Sequence, residues 1–238
     1  MIEISRLSRK FGETYAVKDL SLSIPGGAMF GFLGPNGAGK TTTLRMLMGL
    51  LQPTSGSASI VGYDVTTESV KVKSVVGYLP DEIFLYDYLT GRQFLEFVAD
   101  IHQIDAETRK EKIDYLLDLF SLTQASNDFT ANYSFGMKKK IALAGIVIHN
   151  PKVLILDEPF NGLDPQATRD FRTLLDEMVK NGTTVIFSSH VLEVVEKLVT
   201  HVGIIAEGEL KVSDSIEVIT REYESLEKAF FKLTESNN

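Results

Sequence analysis

The stretch "MFGFLGPNGAGKTTTLRMLMGLL", residues 29–51, decides the fold of this chain. Its first five residues are apolar without alternation, which predicts a strand covered on both faces in a parallel sheet. The next eight, "GPNGAGKT", fit the pattern G-x-x-x-x-G-K-[ST], and the residues after them favour a helix. A strand, a glycine-rich turn and a helix in this order predict a phosphate-binding loop at residues 34–41, called the phosphate loop below.

The residue types of the phosphate loop explain what it can bind. Its glycines let backbone N–H groups curl around phosphate oxygens at a helix N-terminus, where the helix dipole also favours anions. Lys40 can reach the β- and γ-phosphates of a nucleotide and is a candidate catalytic residue, and Thr41 can offer its hydroxyl to Mg²⁺. The candidate nucleotide-binding residues here are Asn36, Gly37, Ala38, Gly39, Lys40, Thr41 and Thr42.

A second motif, "VLILDEP" at residues 153–159, is an apolar strand that ends in two acids. One carboxylate at the end of such a strand can hold Mg²⁺ and its neighbour can polarise an attacking water. We therefore predict that Asp157 binds the metal and that Glu158 activates the water. Taken alone, two acids before a proline could also cap a strand and begin a loop.

The remaining pattern places these motifs in an α/β protein. Short alternating runs within residues 2–33 predict antiparallel strands, whereas the apolar runs "VLIL", "TVIF" and "VGII" predict further strands of a parallel sheet. Helical periodicity fills residues 90–148 and returns near the C-terminus, with Leu226, Phe230 and Leu233 on one side. We expect an α/β core at 1–89 and 149–238, split by a helical subdomain at 90–148.

Composition excludes several classes of function. The chain has 238 residues and a net charge of −8, which would repel a nucleic-acid backbone, so no nucleic acid is expected as a partner. It has no cysteine, so disulfides and thiolate metal sites are excluded. Its apolar runs are shorter than the ~20 residues that span a bilayer, and its N-terminus lacks the apolar core of a signal peptide. These features predict a cytoplasmic location.

Five motifs in order carry a family resemblance: "GPNGAGKT", "YSFGM" (133–137) after a helical insertion, "LILDEP", "NGLDP" and "FSSH". Together they resemble the nucleotide-binding domain of ATP-binding cassette (ABC) transporters over nearly the whole chain. The form "YSFGMKKKIALA" looks like the ATPase subunits of bacterial ABC-2-type exporters. The resemblance implies a single ABC ATPase domain, 1–238, with a P-loop NTPase (RecA-like) core, an N-terminal antiparallel β layer and hydrolysis of ATP with Mg²⁺.

The resemblance also assigns a role to "YSFGM". In the family this segment contacts the ATP of a second subunit, so Ser134 and Gly136 would bind in trans the γ-phosphate held by a partner's phosphate loop. Ser134 also looks like the N-cap of the helix that follows. The lysines 138–140 in its first turns oppose the helix dipole, and a nearby anion would relieve that conflict.

Three further residues match family positions. Phe11 stands where an aromatic ring stacks on adenine, although alone it could be a packed turn residue. Asp164 in "NGLDP" fits a loop that links the two sites of a dimer, although aspartate before proline often just shapes a turn. His190 matches the histidine that senses the γ-phosphate and helps to hold the attacking water. His102, His149 and His201 match no family position and are interpreted as structural or surface residues.

Departures from the family pattern bear on activity. Asp81 replaces a glutamine that touches Mg²⁺ and the water; a carboxylate can bind the metal but cannot donate a hydrogen bond when ionised. Glu82 adds a second acid beside it, and Phe135 and Met137 replace the usual glycine and glutamine. Because of these changes, a weakly active or regulatory site remains an alternative interpretation.

The implied partners are a second copy of the chain or a related ATPase subunit, and integral membrane permease subunits whose short helices dock near the Asp81 loop and the helical insertion. The location implied is the cytoplasmic face of the cell membrane. Three alternatives remain: a degenerate regulatory subunit, a soluble non-transport ABC ATPase, and a P-loop small-molecule kinase, which would need an acceptor pocket and a closing lid.

Overall fold

The computed structural model describes the backbone of residues 1–235 and their side chains, except those at 193 and 194. This part of the chain forms two β-sheets with helices packed on them. The strands are β1 (Ile2–Phe11), β2 (Thr14–Ile24), β3 (Met29–Leu33), β4 (Ser55–Ile60), β5 (Tyr63–Asp64), β6 (Val76–Leu79), β7 (Val153–Asp157), β8 (Thr184–Ser189), β9 (His201–Ala206) and β10 (Glu209–Ser215). The helices are α1 (Lys40–Leu47), α2 (Ser69–Val75), α3 (Gly91–Ile101), α4 (Ala106–Leu119), α5 (Phe135–Val147), α6 (Pro165–Lys180), α7 (Leu192–Glu196), α8 (Ile216–Tyr223) and α9 (Leu226–Thr234), with a 3₁₀ turn at Thr130–Asn132.

The larger sheet is parallel except at one edge. Its order is β10-β9-β3-β8-β7-β6, with β10 antiparallel to β9 and the other pairs parallel. All residues of β3, β7 and β8 are buried, as their unbroken apolar runs predict. Because these strands are parallel, the segments that follow β3, β6, β7 and β8 emerge at the same edge of the sheet.

The smaller sheet is antiparallel, in the order β2-β1-β4-β5. Its buried face packs on the larger sheet through one apolar cluster, while a second cluster joins the opposite face of the larger sheet to α3–α6, α8 and α9. Neighbouring residues of one strand divide between the clusters: Ile155 faces the antiparallel layer, and Leu154 and Leu156 face the helices. The predicted fold class, a parallel core with an antiparallel layer and a helical insertion, is confirmed.

The helical insertion runs from α3 through α5, and hydrogen bonds cap its first helix. Thr90 and Gln93 form a reciprocal capping box at the N-terminus of α3. Helix α5 is apolar almost all round and buries Ile141 to Gly145, so it anchors the insertion in the core. Near the C-terminus Leu226 is fully buried, and Phe230 and Leu233 pack on the same cluster, as their spacing predicts. Within residues 1–235 no helix combines the length and apolar character needed to cross a membrane.

Candidate functional site

The carboxyl edge of the parallel sheet forms a polar cleft. Its volume is about 190 Å³, and the residues that line it are Ala16, Asn36, Gly37, Gly39, Lys40, Thr41, Thr42, Asp81, Asp157 and Glu158. The phosphate loop follows β3, Asp81 follows β6, and the two acids lie at and after the end of β7. The strand order therefore brings together residues that are more than a hundred positions apart in sequence.

The phosphate loop needs glycine at two positions for different reasons. A Cβ on Gly34 would lie 2.3 Å from the carbonyl oxygen of Ile205, so the loop can pass β9 only without a side chain there. Gly39 has φ 106°, and a Cβ on it would lie 2.4 Å from the carbonyl oxygen of Ala16. Helix α1 begins directly after Gly39 and has no side-chain cap, so its first N–H groups are open to an anion.

The Lys40 side chain is buried within the phosphate loop. It is 7% exposed, and its Nζ donates to the carbonyl oxygens of Gly34 at 2.6 Å and Pro35 at 3.1 Å. Burial lowers the pKa of its ammonium group, while the negative charges of Glu158 and Asp157 raise it. The charge of the Lys40 ammonium group is therefore stabilised by the two acids at the end of β7.

Asp157 has the environment expected of a carboxylate that meets a hydrated cation. It is 1% exposed, and its Oδ1 accepts a hydrogen bond from Ser188 Oγ at 2.5 Å. Its Oδ2 is buried and has no hydrogen-bond partner among the described residues. A buried carboxylate oxygen is costly to leave unsatisfied, so the donor set fits a divalent cation bound directly or through water.

Glu158 is fixed on three sides. Its φ is 47°, its N–H donates to Ser188 Oγ at 3.0 Å, and its carbonyl oxygen accepts from Lys139 Nζ at 3.0 Å. Its side-chain Oε1 lies 2.8 Å from Nδ1 of His190, the residue that follows β8, and Oε2 lies 3.5 Å from Asn161 Nδ2. The structure therefore places the predicted water-activating carboxylate in contact with the predicted histidine.

The predicted residues that do not line this cleft are His190, which contacts Glu158, and Phe11, Ala38, Ser134, Gly136 and Asp164. Phe11 is 50% exposed, and the Arg9 guanidinium carbon lies 4.6 Å from its ring centroid. Ser134 and Gly136 lie at the start of α5, where Ser134 Oγ accepts from the backbone N–H of Met137 at 3.3 Å. Ser134 is thus the predicted N-cap, and neither residue touches the chain's own cleft.

Asp164 is engaged locally as the N-cap of α6. Its Oδ1 accepts from the backbone N–H of Ala167 at 2.8 Å, and its Oδ2 lies 2.7 Å from Lys140 Nζ. The Ala167 hydrogen bond first, and then Lys140, lower the pKa of this carboxyl group. Two of the three lysines that oppose the α5 dipole therefore have acceptors within the chain, since Lys139 binds the carbonyl of Glu158.

The sequence interpretation missed Ser188 and Lys139. Ser188 is fully buried and bonds to both acids, and its position before the matched histidine in "FSSH" was a usable signal. Lys139 is 1% exposed but stands in a run of three lysines, and nothing in the sequence separates it from its neighbours.

Comparison with known proteins gives a consistent result. A family model described as ABC transporter matches residues 17–161. YdbJ of Bacillus subtilis (strain 168), an uncharacterized ABC transporter ATP-binding protein, is 39% identical over 218 residues, 91% of this chain and 70% of YdbJ. The bacitracin transport ATP-binding protein BcrA of Bacillus licheniformis is 38% identical over 211 residues, 88% of this chain and 68% of BcrA.

A solved structure of the ATP-binding subunit of an ABC transporter superposes with a TM-score of 0.94 at 28% identity, covering 99% of this chain and 100% of that chain. The aligned segment covers 70% of YdbJ but 37% of YbhF of Escherichia coli (strain K12), a probable multidrug ABC transporter ATP-binding protein. Sequence, fold and cleft point the same way: the chain belongs to the ABC transporter family, as one of its ATP-binding, ATP-hydrolysing domains.

Proposed function

We propose that this chain binds ATP and Mg²⁺ in the cleft, pairs with a second ATPase subunit and uses hydrolysis to power a membrane exporter. The observation that carries the catalytic part is the 2.8 Å contact of His190 with Glu158, a residue that lines the cleft together with Lys40 and Asp157. A carboxylate in contact with an imidazole beside a buried ammonium group is suited to orient water against a phosphoryl group.

The phosphate loop and the start of α1 would hold the triphosphate. Asn36, Gly37, Ala38 and Gly39 supply backbone at the helix N-terminus, and Thr41 and Thr42 line the same cleft. The Lys40 ammonium group lies in the same loop, where it donates to the carbonyl oxygens of Gly34 and Pro35, and its role is to neutralise charge that develops on the γ-phosphate.

Oxygen-bearing residues of the cleft would hold the metal. Asp157, whose Oδ2 has no hydrogen-bond partner among the described residues, would act together with Thr41 and Asp81, since Mg²⁺ prefers oxygen ligands. When bound, Mg²⁺ would neutralise charge on the β- and γ-phosphate oxygens. Ser188 keeps Asp157 in place through its hydrogen bond to Oδ1.

Glu158 and His190 would organise the attacking water. The Glu158 side chain is 14% exposed, so the carboxylate is largely shielded from competing solvent. His190, with a side chain 49% exposed, orients that carboxylate from the solvent side. In this role Glu158 accepts a proton from water, and His190 holds Glu158 and senses the γ-phosphate.

The second subunit would complete the site. Ser134 and Gly136 lie at the N-terminus of α5 and outside the chain's own cleft, so a γ-phosphate that they bind must belong to another copy or to a related subunit. An N-capped helix start is suited to that role. Asp164, close to this helix start through Lys140, would lie in the contact between the subunits, and Phe11 would stack on adenine.

Permease docking is supported by a patch of exposed aromatic residues after Asp81. Phe84, Tyr86 and Tyr88 are 79%, 59% and 90% exposed, which is unusual for rings of this size unless they meet a partner. The similarity to BcrA, a bacitracin transport ATP-binding protein, supports a transporter that moves a drug-like molecule. We infer a location at the cytoplasmic face of the cell membrane, through separate permease subunits.

A second candidate, a regulatory subunit with weak turnover, is favoured by one observation. Asp81 lines the same cleft as Asp157 and Glu158, so three carboxylates line the cleft that would receive the γ-phosphate. Like charges so close would weaken phosphate binding unless Mg²⁺ offsets them.

Steady-state ATP turnover by the purified chain tests the proposal. Glu158→Gln should lower kcat by roughly 100-fold or more, because it removes the base. Glu222→Gln, an exposed glutamate on α8, is the matched control and should turn over as the wild type does. ATP binding without turnover by the wild type would instead support the regulatory subunit.

A further inference from the structure

We propose that Lys139 is a positioning residue for hydrolysis: it holds the Glu158 peptide from within the same chain and ties the catalytic carboxylate to helix α5. This inference rests on the proposed function of Glu158 as the base. Lys139 would touch neither ATP nor water, and would act through the residue whose carbonyl it binds.

The contact itself is buried and direct. Lys139 is 1% exposed, and its Nζ donates to the carbonyl oxygen of Glu158 at 3.0 Å. A lysine buried to this degree is rare, because an ammonium group is costly to remove from water. Apolar side chains fill such space at lower cost, so packing alone does not account for a lysine here.

The peptide that Lys139 holds is in an uncommon conformation. Glu158 has φ 47°, the left-handed region that residues with a Cβ rarely adopt. Such backbone persists when the surroundings fix it. Here Ser188 accepts from the Glu158 N–H and Lys139 donates to its carbonyl, so hydrogen bonds hold this residue at both ends. The direction of the carboxylate toward His190 follows from that backbone geometry.

The charges around Lys139 also belong to the cleft. Burial lowers the pKa of its ammonium group, while the negative charges of Asp81, Asp157 and Glu158 raise it. The same three carboxylates line the cleft that would receive ATP. Lys139 therefore offsets part of the acidic charge from behind the site, while Lys40 offsets it within the phosphate loop.

This contact connects helix α5 to the loop after β7, which carries Glu158. Two further contacts run in parallel: Lys140 pairs with Asp164, and the Phe135 ring lies so close to Gly162 that a Cβ there would sit 2.2 Å from it. Because Ser134 caps the same helix, we expect these contacts to pass a shift of the helix N-terminus to Glu158 of the same chain. Binding of the partner's phosphate by Ser134 would thus adjust this chain's own base.

The test compares two lysines that make the same kind of bond. Lys139→Met removes the bond to Glu158. Lys112→Met is the matched control, since Lys112 Nζ donates to the carbonyl oxygen of Ile148 at 2.9 Å, from α4 to the C-cap residue of α5. Steady-state kcat and KM for ATP, and the melting temperature, are measured for the full chain and both variants, with Lys139→Arg as the conservative replacement.

We expect kcat of Lys139→Met to fall roughly 10- to 100-fold with KM for ATP within about twofold of the wild type, because the base is displaced while the phosphate loop is intact. Lys112→Met should keep kcat within about twofold, and Lys139→Arg should recover part of the lost rate because it retains an N–H donor. A split between kcat and KM is not expected from a residue that merely stabilises the fold.

The inference is overturned if Lys139→Met keeps the wild-type kcat, if Lys112→Met loses as much, or if KM rises together with the fall in kcat. It is also overturned if both the Met and the Arg variants unfold, because Lys139 would then be a structural residue. Absence of turnover by the wild-type chain refutes the proposed function itself; normal wild-type turnover with an unaffected Lys139→Met refutes this inference alone.

Discussion

Replacing Ser188 by alanine should damage both the stability and the activity of this domain. The Ser188 hydroxyl is fully buried, donates to Asp157 Oδ1 at 2.5 Å and accepts from the backbone N–H of Glu158 at 3.0 Å. Since Asp157 Oδ2 already lacks a partner among the described residues, the substitution would leave both oxygens of a buried carboxylate unsatisfied. Ser188→Ala removes few atoms, so the effect is one of hydrogen bonding.

The magnitude follows from the two bonds. A hydrogen bond to a charged group contributes about 1.5–3 kcal/mol and a neutral one about 0.5–1.5 kcal/mol, so the free energy of unfolding should fall by about 2–4.5 kcal/mol. For a domain of this size each kcal/mol corresponds to roughly 2–4 °C in melting temperature, which gives a decrease of roughly 4–18 °C. Displacement of both acids should lower kcat roughly 10- to 100-fold.

Urea denaturation, thermal melting and steady-state ATP turnover measure these quantities on one preparation. Ser189→Ala is the matched control, because Ser189 is the next residue of β8, is 4% exposed and accepts one hydrogen bond, from the backbone N–H of Val191. The control should lose about 1 kcal/mol. If Ser188→Ala matched Ser189→Ala in both melting temperature and kcat, the assigned support of the acid pair by Ser188 would be refuted.

Three further predictions concern other parts of the molecule. Burial first, and then the neighbouring His102, lower the pKa of His149 from 6.5 to about 4, so as the pH falls the unfolded chain binds a proton at this residue before the folded chain does. The contribution of His149 to the free energy of unfolding is therefore fully present above about pH 6.5 and decreases by up to about 3 kcal/mol toward pH 4. Urea titrations should find a smaller decrease in His149→Phe. Gly39→Ala forces a Cβ against the Ala16 carbonyl in a left-handed residue, so calorimetry should detect no ATP binding at concentrations that saturate the wild type. Asp164→Ala removes the cap of α6 and should lower the free energy of unfolding by about 0.5–2 kcal/mol in urea; the ion pair with Lys140 should add little, because the Asp164 side chain is 52% exposed. No change would contradict the capping role.

The sequence predicted the fold because its strongest signals are local. The unbroken apolar run of β3, the glycine pattern after it and the paired acids after β7 each describe a strand and the turn that follows, and parallel pairing then brings their ends together. For the same reason Lys40, Asp157 and Glu158 could be assigned to one cleft from sequence, and the structure brings them together there.

What the sequence could not predict depends on contacts between distant segments. Two of the α5 lysines have acceptors in distant segments of the same chain: Lys140 pairs with Asp164, and Lys139 binds a carbonyl of the loop after β7. No local pattern separates Lys139 from Lys138, since burial is decided by how α5 packs on that loop. The stacking of His102 on His149, with ring centroids 3.7 Å apart, is likewise a tertiary contact between two helix ends.

Light-scattering mass of the Glu158→Gln variant shows whether ATP drives two chains to pair. With ATP and Mg²⁺ we expect a mass twice the 26.4 kDa of one chain, and one chain's mass without ATP. Adding Ser134→Arg should abolish the dimer, whereas Ser225→Arg, the same replacement at the N-cap of α9, should not. A mass that does not change with ATP, or a dimer that still forms with Ser134→Arg, would contradict ATP-driven pairing through Ser134.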